Sequence, residues 1–132
     1  MPRQQQPVEM ILLRQLASYL TVPIWLMDEA GNLLYYNESA ESLLGIRFDD
    51  MGPVHADQVG EMFRLTDFDG NPLEGLDHPI GVTLAKRIPS HRELRYCGFD
   101  GIWRNVAVSS IPIEGQARRF LGLFATFWEI DV

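Results

Sequence analysis

A single cysteine in 132 residues rules out an internal disulfide, so Cys97 gives no sign of an oxidising compartment. Long apolar runs are also missing. The stretch from Val8 to Leu20 is broken by Glu9 and Arg14 and is too short to span a bilayer. Before it, Met1-Pro-Arg-Gln-Gln-Gln-Pro7 is polar and carries no secretory cleavage pattern. Positive charge is scarce: 11 Lys and Arg stand against 18 Asp and Glu, a net charge of -7. That balance disfavours nucleic acid and anionic membranes as partners. Nor is there a Gly-x-Ser-x-Gly elbow, a Walker-type phosphate loop or a His-Glu-x-x-His motif. These absences point to one non-enzymatic domain in the cytoplasm, large enough to bury roughly two-thirds of its unfolded surface.

What is present is ordered punctuation. Ile24 to Met27 is an apolar run, Glu29-Ala-Gly-Asn32 has turn chemistry, and Leu33 to Tyr36 returns as a second strand. Asn37 is placed to cap a helix with Ala40, Leu43 and Leu44 at helical spacing, and Gly45 to end it. Upstream, Val8, Ile11, Leu12, Leu16, Tyr19 and Leu20 predict an amphipathic helix over 8–20, which Val22-Pro23 closes. Residues 46 to 78 hold one brief helical candidate, Asp57 to Leu65. Asp77-His78-Pro79 starts another helix, with Ile80, Leu84, Ala85 and Ile88 on its buried side. Three strands follow: His91 to Cys97, Ile102 to Ser110, and Arg119 to Ile130, the last apolar on both faces. The order predicts an α+β domain, a five-stranded antiparallel sheet with short helices across one face.

From about residue 21 to 130 the chain resembles a PAS domain. The resemblance rests on Asp28-x-x-Gly31 leading to Tyr36-Asn37 and Leu44-Gly45, and on Asp69-Gly70-Asn71-Pro72-Leu73 leading to Pro79. Gly101, Ile111-Pro112 and the closing Phe127-Trp128-Glu129-Ile130 complete it. It implies a sensory domain over 21–132, preceded over 1–20 by a tail and a flanking helix suited to dimerisation. The family's general job would be to sense a small molecule, redox state or light, and to pass that state through dimer contacts to a signalling partner or domain.

Strand alternation places a candidate pocket lining. Trp25 and Met27, then Val106, Val108 and Ser110, and then Phe120, Phe124 and Trp128 are expected to face the helices, which add Met62, Phe63 and Leu84. Such a lining suits a small apolar or aromatic ligand, and equally a filled core. The complementary expectation is an outer apolar patch of Ile24, Leu26, Leu121, Leu123, Ala125 and Phe127, covered by the first helix or by its copy in a homodimer.

Cofactor signals are weak, and the cofactor, if any, stays unknown. Flavin photosensors of the family this chain resembles carry a reactive cysteine in a short helix, and Val54 to Leu65 has none. Haem-binding members use a histidine on the helix that starts here at Pro79; His78 precedes it and suits a cap or solvent, and His55 and His91 lie elsewhere. Asp67-Phe-Asp-Gly-Asn71 opens like a calcium loop, but its sixth and twelfth positions are Pro72 and His78. Ser109-Ser110 has no base evident in sequence. Three functions stay open: a ligand-reading sensor, an interaction module with a filled core, and, furthest off, a small enzyme.

Overall fold

The computed structural model describes residues 6–131; the expected tail over 1–5 lies outside them. Helix α1 (Val8–Tyr19) leads into a hairpin of β1 (Ile24–Asp28) and β2 (Leu33–Tyr36). Four short helices follow: α2 (Glu38–Leu44), α3 (Phe48–Met51), α4 (Ala56–Met62) and α5 (Pro79–Lys86). Strands β3 (Ser90–Cys97), β4 (Trp103–Glu114) and β5 (Phe120–Glu129) complete the chain. The sheet is antiparallel in the order β2-β1-β5-β4-β3, so the last strand sits in the middle.

Local chemistry explains most elements. The Asp28 carboxylate accepts from the Ala30 and Asn32 amides at 3.0 and 2.9 Å, and Gly31 takes the left-handed φ that closes the hairpin. Asn37 caps α2 through Ala40 N, and His78 caps α5 through Gly81 N with Pro79 in the first turn. Helix α3 carries no periodic signal in the sequence; its first amide, Phe48 N, donates to the Glu41 carboxylate at 2.6 Å. The helix expected over 57–65 is shorter, because Arg64 turns into the left-handed region. Strand β4 runs four residues past Ser110, through Pro112. That proline lies beyond the start of β3, where β4 has only β5 beside it.

The largest departure from expectation is in β5. Its register with β4 is regular from Val106↔Glu129 to Ile113↔Gly122, then shifts so that Glu114 faces Phe120. One extra residue is therefore inserted at Leu121-Gly122, with Gly122 at φ +146. A bulge of one residue reverses every later side chain. Phe120 faces the helices as expected, under Arg87. Phe124 and Trp128 do not: Phe124 packs on the outer face with Ile24 and Leu26, and Trp128 is 43% exposed beside His91. Conversely, Leu123, Ala125 and Phe127 belong to the helix-side core and not to an outer patch.

Both faces of the sheet carry core. The helix-side cluster joins Trp25, Met27 and Tyr36 to Val59, Phe63, Leu94 and Val106. On the other face α1 folds back on its own sheet, setting Leu13 and Ala17 against Ile24, Leu26, Leu34 and Phe124. Arg14, at the side of that contact, lies over the Tyr35 ring at 4.7 Å.

The bulge can be tested directly. A Cβ on Gly122 would lie 2.2 Å from the Met27 carbonyl oxygen. Gly122→Val is expected to lower unfolding free energy by about 2–4 kcal/mol, read from urea denaturation. A loss below about 0.5 kcal/mol would mean that β5 needs no glycine there.

Candidate functional site

Alternation and helix packing converge on a cavity of about 60 Å³ between the sheet and α2, α4 and α5. Trp25 of β1 forms one wall. Its ring stacks on Tyr36 at 5.5 Å and 3°, and Phe63, just after α4, meets it edge-on at 6.2 Å. Leu94 and Tyr96 of β3, Val106 and Val108 of β4, and Ala125 and Phe127 of β5 form the floor. Leu44, Val59 and Leu65 close one side, and His78, Pro79 and Ile80 the other.

The polar groups around this space are mostly committed. Tyr36 Oη donates to the Ile46 carbonyl at 2.8 Å, and Tyr96 Oη donates to the Leu43 carbonyl. Burial pushes both phenols up, Tyr96 to about 12, so both are neutral. The Leu43 carbonyl also accepts from Arg104 Nη1 at 2.9 Å, and Arg104 is paired with Asp100 at 2.8 Å. The side chains of that pair are 12% and 29% exposed, and the pair ties β4 to the end of α2. His78 is buried; Nδ1 accepts from Gly81 N at 3.2 Å, and burial pushes its imidazole down, opposed by Asp77. The Trp25 indole N–H is buried without a partner among the described residues. The chamber is thus uncharged at neutral pH, and it fits small neutral matter only.

Of the residues expected to line a pocket, Trp25, Phe63, Val106 and Val108 do so. Met27, Ser110 and Phe120 are buried without lining the cavity, and Leu84 is half-buried against the same core. Met62 borders a surface cleft with Arg64, Cys97, Phe99 and Trp103. Phe124 and Trp128 are on the opposite face. Leu94 and Tyr96 were readable from the alternation of β3, and Pro79-Ile80 from the helix start. Ala125 and Phe127 were hidden by the bulge.

Other sequence candidates find structural roles. His55 Nδ1 accepts from Asp57 N and its Nε2 bonds the Ala30 carbonyl at 2.8 Å, joining α4 to the hairpin. Asp67 closes its own turn, taking Asp69 N, Asn71 N and Asn71 Nδ2. His91 Nδ1 lies 2.8 Å from Ser109 Oγ, a partner that sequence did not reveal, on the outer sheet face away from the cavity. Cys97 is buried at the end of β3, its thiol 3.5 Å from the Gly98 carbonyl. A cavity of 60 Å³ is well below the roughly 300–1,000 Å³ usual for ligand pockets. It does not fit haem or flavin, and His78 spends Nδ1 on a cap.

A family model described as a PAS domain matches residues 11–86, more than half of the sequence. The chain belongs to the PAS domain family. Solved structures agree in fold. The PAS domain of Bordetella pertussis BvgS superposes with a TM-score of 0.64 at 17% identity, over 94% of this chain and 87% of that one. The PAS domain of nitrogen regulation protein NR(II) from Vibrio parahaemolyticus gives 0.62 at 15% identity, over 90% and 98%. The PAS domain of the fruit-fly ELK potassium channel gives 0.71 at 12%, over 96% and 98%. Such identities speak for the fold alone. No curated protein matches the sequence. The fold is that of sensory signal-transduction modules, and among the described residues of this PAS domain no helix is long and apolar enough to cross a membrane.

His78 gives the cavity wall a pH signature. Its folded pKa is lowered, so below about pH 6.5 the unfolded chain takes up a proton that the folded chain refuses. Stability is therefore fully present above that pH and is lost as pH falls toward the depressed folded value. His78→Asn, which can still accept from Gly81 N, should flatten urea-unfolding stability between about pH 7.5 and 5.5. An unchanged slope in the variant would assign the effect to another group.

Proposed function

We propose that this PAS domain is a cytoplasmic sensory and regulatory module, not an enzyme. It reads a small neutral molecule in the helix-side cavity and acts as a homodimer through α1, passing its state to a signalling partner or output domain. The observation that carries the sensing half is the cavity itself. It lies where the sheet and three helices meet, its lining is apolar, and one wall is Trp25, whose indole N–H is buried without a partner among the described residues. A void costs stability in a close-packed core unless it is used. Its modest size favours a second reading, an interaction module whose core is essentially filled.

The dimer half rests on α1. Only Met10 and Ala17 of this helix are buried. Val8, Ile11, Leu12, Leu16 and Tyr19, at i, i+3, i+4, i+8 and i+11, stay exposed along the side away from the sheet. Together with Leu20 they present one contiguous apolar ridge, of the kind that marks an interaction site. A second copy offers the same ridge, which suits a two-fold interface.

Native mass spectrometry against the denatured mass tests the sensing half. A reproducible mass excess per protomer is expected, whereas clean protomer masses would favour the interaction module. For the dimer, Leu12→Glu with Leu16→Glu should sediment as a folded monomer where the parent sediments as a dimer. A parent that is monomeric at high micromolar concentration, or a variant that stays dimeric, would overturn the α1 interface. Leu123 is no probe of that surface, being fully buried in the helix-side core.

A further inference from the structure

One side chain joins α1 to β1 and α2, the elements that flank the cavity. Asn37 is buried, and its carboxamide is used on both sides. Oδ1 accepts from Ile24 N at 3.0 Å and from Ala40 N at 3.1 Å, starting β1 and capping α2. Nδ2 faces three carbonyls: Ala17 at 3.0 Å, Leu20 at 3.4 Å and Val22 at 2.8 Å. An amide has two N–H groups for those three acceptors. Two of the acceptors belong to the end of α1, and the third to the link before β1.

That link has other anchors. Ser39 Oγ donates to the Thr21 carbonyl at 2.7 Å, and Thr126 Oγ1 donates to the Pro23 carbonyl at 3.0 Å. The last turn of α1 is held by Asn37 and by the packing of Leu13 and Ala17, while the helix's other side is bare. Asn37 does not line the cavity but lies next to the residues that back its Trp25 wall. Its neighbour Tyr36 stacks on Trp25, and Ile24, whose amide it binds, precedes Trp25. The Trp25–Tyr36 stack and the carboxamide thus share the same two strands, β1 through Ile24 and β2 through Asn37, the residue that follows it.

We propose that Asn37 is a positioning residue that latches α1 to the sheet and couples the filling of the cavity to the seating of that helix. This deepens the proposed function, on whose cavity and α1 surface it rests. In the seated state, Nδ2 holds Ala17 and Leu20. In the released state it keeps Val22, and the fold survives because Oδ1, Ser39 and Thr126 are undisturbed. The state of the cavity thereby reaches the dimerising helix through one amide.

The test uses no ligand, so its outcome is separate from the mass measurement. Asn37→Asp keeps the capping oxygen and replaces three donations with a carboxylate facing carbonyls. Backbone amide hydrogen exchange in α1 should speed up about tenfold while β4 and β5 stay within about twofold of the parent. Asn37→Ser, which also keeps a capping oxygen, serves if the aspartate variant fails to fold. Ala125→Leu adds three heavy atoms to a cavity with room for roughly four or five. It should change α1 exchange at least about threefold in the parent and leave it within about 1.5-fold when Asn37 is replaced. Unchanged α1 exchange in the Asn37 variants would overturn the latch, as would equal acceleration of every element. An Ala125→Leu effect that is missing in the parent, or survives loss of the amide, would overturn the coupling.

Discussion

A sheet whose middle strands are apolar on both faces has to be covered twice. In β1 the residues Ile24 to Met27 are all buried, alternate ones facing opposite layers. In β5 the residues from Phe120 to Leu123 are likewise all buried, although the bulge breaks their alternation. Short helices and loops cover one face, and α1 covers part of the other. The cost of that cover is a second apolar side of α1 left in water. One constraint thus generates both the cavity layer and the ridge available to a partner.

The two layers meet at few points, which limits how they can communicate. Trp25 and Met27 face the cavity layer, Ile24 and Leu26 face α1, and the backbone between them is common to both. Where β1 and β2 end side by side, Asn37 satisfies groups from α1, the link, β1 and α2 at once. An aspartate would cap α2 as well, but it has no hydrogens for the three carbonyls. The demand for a carboxamide comes from α1, not from the helix that Asn37 caps.

Much of this was legible in the sequence, and the limits were physical. Asp28 to Asn37 carries its turn and cap chemistry in contiguous residues, so the hairpin and α2 were readable to within a residue or two. Pro79 and the residue before it announced α5 for the same reason. Strand facing needs an unbroken period of two, and the bulge at Leu121-Gly122 breaks it. Every assignment after it inverted, placing Phe124 and Trp128 inside and Ala125 and Phe127 outside. Glycine at 122 was the only local hint, and glycine in a strand signals a bulge only when the partner's register is known. Helix α3 was missed because a tertiary contact, Glu41 to Phe48 N, supplies what its four residues lack.

The energies are of a compatible scale. At about 24 cal/mol per Å³, a void of 60 Å³ costs about 1.4 kcal/mol, which its occupant would recover. That is about one decade in an equilibrium constant, and it lies within the 1–3 kcal/mol typical of coupling between sites. A helix seated mainly by Met10, Leu13, Ala17 and an amide is of the kind that such an energy can shift. The rest of the domain, held by a core on each face, is not. A small cavity is therefore no obstacle to a sensory role, provided that the element it controls is the one held most lightly.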